Sequence, residues 1–217
     1  MSAHTPASLS GRRFDEDDLL DAARAVFHAE GFAAAQIADI ARRAGTTKPT
    51  LYARLGNKEQ IYLHVVRREA EVFRRWVADA YERGSRLPLA ELSQVGMEPL
   101  FRFAAERAEG FNLLFRGEKT GDRPATLRRE VVSGVTEQLT ILIERREEVF
   151  GTDLGSSADT LAAACVGVAL QVCEHTIDRG GDLNAAQHLA ARFVENAFQQ
   201  FDFDPLTRGS ARPRGEP

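Results

Sequence analysis

The segment IADIARRAGTTKPTLYARLGNKEQIY, residues 37–62, constrains this chain more than any other feature. Apolar residues at helical spacing are cut by Gly45 and again by Gly56, which leaves room for helices only from about Gln36 to Ala44 and from about Thr47 to Leu55. Two such helices joined by a three- to four-residue turn make a helix-turn-helix. Gly45 suits the turn, because the sharp reversal needs a backbone angle that is costly with a Cβ. Thr46 or Thr47 is placed to cap the next helix through its hydroxyl. Between Arg42 and Lys58 lie five basic residues, Arg42, Arg43, Lys48, Arg54 and Lys58, and no acidic one. The chain as a whole carries a net charge of −4 and a pI near 5.8, so it is not a general nucleic-acid coat. The positive charge is local, where phosphates could use it.

In a helix-turn-helix the second helix enters the major groove with its N-terminal residues nearest the bases. Thr46, Thr47, Lys48, Pro49 and Thr50 are therefore the candidate reading edge. Lysine donates to guanine acceptors or phosphate, and threonine hydrogen-bonds or touches a thymine methyl. Tyr52 can give its hydroxyl to a phosphate. Lys58 opens the next helix, where free N–H groups also favour a phosphate. Arg54 is a further candidate that reads equally well as a surface residue. Composition alone would make this basic stretch a solvated hairpin, whereas the ordered spacing favours DNA.

The remainder reads as helix throughout, with no alternating strand pattern, so the fold expected is all-α with about nine helices. Asp15, Glu16, Asp17 and Asp18 crowd the first turn of an opening helix that buries Leu19, Ala22, Ala23, Val26 and Phe27 and stops at Gly31. Ile37, Ile40 and Ala41 face inward on the next. Asn57 caps a long fourth helix reaching about Arg83. Further helices are expected at about 88–106, 108–116, 122–150, 157–179 and 183–203, with breaks at 117–124, 151–157 and 179–181. The expected organisation is a flexible N-terminus at 1–12, a DNA-binding domain at 13–58, an effector-binding and dimerisation domain at 59–204, and a flexible tail at 205–217.

The run GFAAAQIADIARRAGTTKPTLYARLGNKEQIY resembles the N-terminal domain of TetR-family regulators. The matching residues are Gly31-Phe32, Ile37, Asp39-Ile40-Ala41, Ala44-Gly45, Thr47-Lys48-Pro49-Thr50-Leu51-Tyr52 and Asn57-Lys58-Glu59. The likeness in residues covers about 14–62, and beyond that only the helix layout is similar. It implies a DNA-binding regulator, by family default a repressor, in which Thr47, Lys48, Tyr52 and Lys58 match DNA-contacting positions. Ala35 stands where the family commonly has a threonine that caps the second helix and contacts phosphate, with Gln36 as a partial substitute. Leu55 replaces a usual aromatic.

One helix-turn-helix reads few base pairs, so a homodimer on a palindromic operator is expected. Segment 157–179 is rich in small residues, Ala158, Ala162, Ala163, Ala164, Gly167 and Ala169, which permit close helix approach. Segment 183–203 is apolar on two sides, Leu189, Phe193 and Ala197 on one and Val194, Phe198 and Phe201 on the other. These two segments are the expected dimer helices, against the plainer reading of one thick monomer core. The resemblance also implies a small effector in the C-terminal domain. Phe73, Trp76, Met97, Phe101, Phe103, Phe111 and Phe115 supply apolar material for its pocket, although aromatics at helical spacing are more often plain core. Pro99 within a helical pattern should kink it and free the carbonyl of Val95. The effector expected is largely apolar, and no contact residue is assigned.

Neither a P-loop, a dinucleotide-binding glycine pattern, HExxH nor a nucleophile elbow is present, so no enzyme is expected. Cys165 and Cys173 lie eight residues apart, about 12 Å along a helix, too far for one metal or one internal disulfide. Both read as buried hydrophobes, and no metal or cofactor is expected. The longest charge-free apolar run, Thr160 to Cys173, is too short for a bilayer, and no signal peptide is apparent. A cytoplasmic location follows as the expectation. The competing class is a non-catalytic helical adaptor or ligand-binding protein whose basic hairpin does not read DNA specifically.

Overall fold

The computed structural model describes residues 15–117, 122–145 and 157–200. The readings for 1–12 and 205–217, the break at 117–124 beyond Gly117, the helical end at 146–150, most of the 151–157 break and Phe201 lie outside or largely outside these residues. The described residues form nine α-helices and a short π-helical turn, as the sequence pattern predicts.

The acidic cluster does start the first helix. α1 spans Glu16–Ala34, with Asp15 as N-cap accepting from the Asp17 N–H and with Glu16, Asp17 and Asp18 in its first turn. Leu19, Ala22, Ala23, Val26 and Phe27 are buried. Gly31, at φ 74°, breaks the helical geometry, so Phe32 to Ala34 form an offset last turn. α2 (Ile37–Arg43) buries Ile37, Ile40 and Ala41, and α3 (Lys48–Leu55) buries Leu51 and Leu55. Leu55, only 2% exposed, thus fills a core position without a ring. Phe27, Phe32 and Tyr62 make an aromatic corner, with Tyr62 edge-on to both rings at 5.0 and 5.1 Å.

α4 spans Lys58–Gly84. Asn57 Oδ1 accepts from the Gln60 N–H and Gln60 Oε1 accepts from the Asn57 N–H, each at 2.9 Å. This reciprocal box satisfies two otherwise orphaned donors, a closer fit than Asn57 alone provides. By compactness the chain divides within α4, between Val65 and Val66.

The second unit comprises the rest of α4, α5 (Leu89–Glu106), α6 (Ala108–Phe111), the π-helical turn Asn112–Arg116, α7 (Asp122–Glu144), α8 (Ser157–Asp178) and α9 (Leu183–Gln200). α9 packs on α5 and α8, and α7 packs on α8. α5 runs on through Pro99, whose missing N–H removes one helical bond without ending the helix. Phe73, Phe103, Phe111 and Phe115 form a buried ring cluster with neighbouring centroids 5.2 to 6.5 Å apart, and Trp76 stands edge-on to Phe103. Beside it lies Glu69, fully buried, whose carboxylate takes two 2.8 Å hydrogen bonds from the Arg107 guanidinium. A bidentate pair is what allows a carboxylate to be buried at all.

Candidate DNA-reading edge and ligand cavity

Thr47 is the N-cap of α3: its Oγ1 accepts from the Thr50 N–H and lies 2.9 Å from the Thr50 hydroxyl. Pro49 occupies the first turn, where its fixed φ suits a helix start and its missing N–H breaks no bond. Gly45 has φ 67°, the left-handed angle the turn requires. Thr47, Lys48, Pro49, Tyr52 and Arg54 are exposed, and Thr50 is half-buried. Tyr52 is 48% exposed, unusual for an aromatic on a helix whose Leu51 and Leu55 are buried. The structure therefore brings the candidate side chains to one short helix. Thr46 belongs to the turn instead: it is half-buried, and its N–H donates to the Ala41 carbonyl.

Two expectations are refined here. The N-cap of α2 is Gln36, and its side chain makes no capping bond; it donates to the Ala34 carbonyl at 3.1 Å. Ala35 precedes the cap and is 1% exposed, so this position packs rather than caps. Gln36 does not take over the threonine's role. Lys58 is half-buried, with Nζ donating to the Ala33 carbonyl at 3.1 Å and lying 5.0 Å from the Phe32 ring centroid. The ammonium thus closes the end of α1, a partner that only the fold could supply. With three donors it can hold this carbonyl and a phosphate together.

The second unit carries an apolar cavity that opens to solvent, with about 900 Å³ of space when the open mouth is counted. Of the seven residues nominated as pocket material, Phe73, Met97 and Phe115 line it. Trp76, Phe101, Phe103 and Phe111 do not; Phe101, Phe103 and Phe111 are fully buried core. Other walls come from positions the sequence reading did not assign to a pocket: Tyr81 of α4, Leu92 and Ser93 of α5, Val135 and Leu139 of α7, and Cys165 and Leu170 of α8. Pro99 lines it too. Only a tertiary fold places such dispersed residues around one space. No lining residue among those described carries a charge.

α9 keeps the two apolar sides read from its sequence. Val194 is 7% exposed and lines the cavity, and Phe198 packs on Ile143, Ala158 and Ala162. On the opposite side Leu189 and Phe193 stand 67% and 61% exposed, with Ala197 beside them. On α8, Ala158 and Ala162 are buried, while Ala163, Ala164 and Gly167 are exposed. α8 is long and apolar enough to cross a membrane by length and composition, more so than its charge-free run suggests, but here it packs on α5, α7 and α9.

Both cysteines are free. Burial pushes each thiol up to about 12, helped at Cys173 by the Glu174 charge and opposed there by Arg116. Thiols held neutral in this way are poor nucleophiles and poor metal ligands.

Residues 19–65 match the family model for bacterial regulatory proteins, tetR family. A curated relative, the HTH-type transcriptional activator FasR of Mycolicibacterium smegmatis, is 30% identical over 112 residues, which cover 50% of this chain and 50% of FasR. The chain thus spans about half the length of that relative. Among solved structures, the fatty acid degradation regulator FadR of Bacillus halodurans covers 83% of this chain and 98% of its own at 19% identity and a TM-score of 0.68. FadR of Bacillus subtilis, solved in complex with stearoyl-CoA, covers 86% and 98% at 16% identity and a TM-score of 0.69. A TetR-like regulator from Rhodococcus sp. RHA1 covers 86% and 96% at 21% identity and a TM-score of 0.64. The family model falls on the helices that carry the candidate reading edge, and the likeness to solved structures extends the same fold through the cavity-bearing unit. Residues 19–65 thus carry the N-terminal domain of tetR-family bacterial regulatory proteins, and the chain as a whole shares the fold of the solved TetR-like regulators.

Proposed function

We propose that this chain is a sequence-specific DNA-binding transcriptional regulator, acting in the cytoplasm as a homodimer on a palindromic operator and released by a small, largely apolar ligand. The observation that carries the proposal is α3. A Thr47-capped helix follows a left-handed glycine and presents Lys48 and Tyr52 to solvent, with no acidic residue among Arg42 to Lys58. In this reading Lys48 donates to a base or phosphate, Thr47, Pro49 and Thr50 fit the groove wall, Tyr52 and Arg54 hold phosphates, and Lys58 fastens the start of α4 to the backbone. The exposed apolar stripe Leu189, Phe193 and Ala197, with the small residues of α8, supports dimerisation through α8 and α9. The uncharged cavity supports an apolar effector, and the neighbour solved with stearoyl-CoA makes a long acyl chain a suitable tenant.

Footprinting on the DNA flanking the gene tests this. The expected result is one two-fold-related protected site, whose affinity falls steeply with salt. Binding without sequence preference, or binding to acidic protein instead, would favour the adaptor reading. Repression is the proposed default, although FasR bears the name of an activator. A promoter fusion that falls rather than rises when the gene is deleted would reverse the sign.

A further inference from the structure

The cavity's few polar groups narrow the class of ligand further; this step rests on the effector reading above. Ser93 of α5, 7% exposed, and Tyr81 of α4 both line the cavity. Neither hydroxyl has a hydrogen-bond partner among the described residues. The contrast with other helical hydroxyls is direct: Thr136, Thr140 and Thr176 each donate to the carbonyl one turn back, at 2.7 to 2.9 Å. Ser93 could do the same and does not. Cys165 completes the polar set from α8. From every helix that walls the cavity, Tyr81 and Cys165 are the only titratable lining groups among the described residues, and both are neutral at pH 7.

We propose that the cavity is selective for an uncharged apolar molecule bearing one hydroxyl or carbonyl group, bound by Tyr81 and Ser93, and that it excludes a carboxylate. A ligand oxygen facing these hydroxyls supplies the hydrogen bonds that the protein leaves open, whereas an anion finds no cation to pair with and loses its hydration. The cavity's own acids report the same bias, since burial is the main cause that raises both Tyr81 and Cys165 well above their ordinary values, with the Cys165 charge adding to it at Tyr81. A ligand with a charged head can enter only with that head left outside.

The test uses four probes of one chain length, 1-decanol, methyl decanoate, decanoate and decane, titrated calorimetrically into the full-length protein at pH 7.5. Decanol and the methyl ester are expected to bind at least ten-fold more tightly than decanoate, and decanoate is expected to gain affinity at pH 5, where part of it is protonated. Tyr81→Phe and Ser93→Ala should each weaken decanol about five-fold, a typical hydrogen bond's worth, and leave decane unchanged. Decanoate binding as tightly as decanol at pH 7.5, or decanol affinity unmoved in both variants, overturns the proposal while leaving an apolar effector site standing. Failure of all four probes to bind overturns the effector reading as well.

Discussion

At the scale of single residues, the buried pair Glu69–Arg107 decides more than its surroundings suggest. A Cβ added at Gly110 would sit 2.2 Å from Glu69 Oε2. Glu69 cannot step aside, because it is fully buried and Arg107 holds both its oxygens. Gly110→Ala should therefore destabilise the chain by about 1–3 kcal/mol despite alanine's better helix propensity, read as a lowered urea midpoint. Glu69→Gln should cost about 3 kcal/mol or more by leaving Arg107 without its counter-charge. A midpoint unchanged in both variants would remove the pair from the list of stabilising contacts. The thiols give a pH dependence whose sign is fixed. Their folded values, about 12, lie above the ordinary 9.0, so above pH 9 the unfolded chain releases protons that the folded chain keeps. Stability is then lost as pH rises from 9 toward 12, by up to about 1.4 kcal/mol per thiol per pH unit. A Cys165→Ala, Cys173→Ala double variant should flatten that alkaline fall in melting temperature. The burial of the thiols was legible in the sequence, but the Glu69–Arg107 pair and its contact with Gly110 were not, because the two partners lie 38 positions apart.

At the scale of elements, α3 is set by local chemistry and was read almost to the residue. Its cap, its proline and the preceding glycine all act within a few positions. Thr47→Ala should cost about 1 kcal/mol of stability through the lost cap and weaken operator binding as well. Lys48→Ala and Tyr52→Ala should each weaken binding by about 1 kcal/mol with no change in melting temperature, because both side chains are exposed. Gel-shift titrations in which both retain full affinity would move the reading edge elsewhere. The start of α2 is the converse case. Ala35 read as a missing cap, yet the chain places it in the core and leaves the cap at Gln36, since burial of the neighbouring Ile37 fixes the register.

At the scale of the whole molecule, the exposed stripe on α9 bears on assembly. Leu189 and Phe193 are large, apolar and more than half exposed in the single chain. A Phe193→Glu variant should sediment as a monomer at micromolar concentration and lose cooperative operator binding while keeping its helical circular dichroism. A variant that sediments as the native protein does would place the interface on another face. The amino-acid sequence by itself determined which segments are helices, where they stop, and which short helix is capped by Thr47 and exposes Lys48 and Tyr52, since caps, turns and amphipathic spacing are local interactions. The tertiary structure alone decided which aromatics are core and which line the cavity, that Lys58 closes α1, and which side of α9 stays uncovered. Those outcomes depend on contacts between distant segments, where the choice between two apolar faces of one helix is made by the neighbours that fold against it.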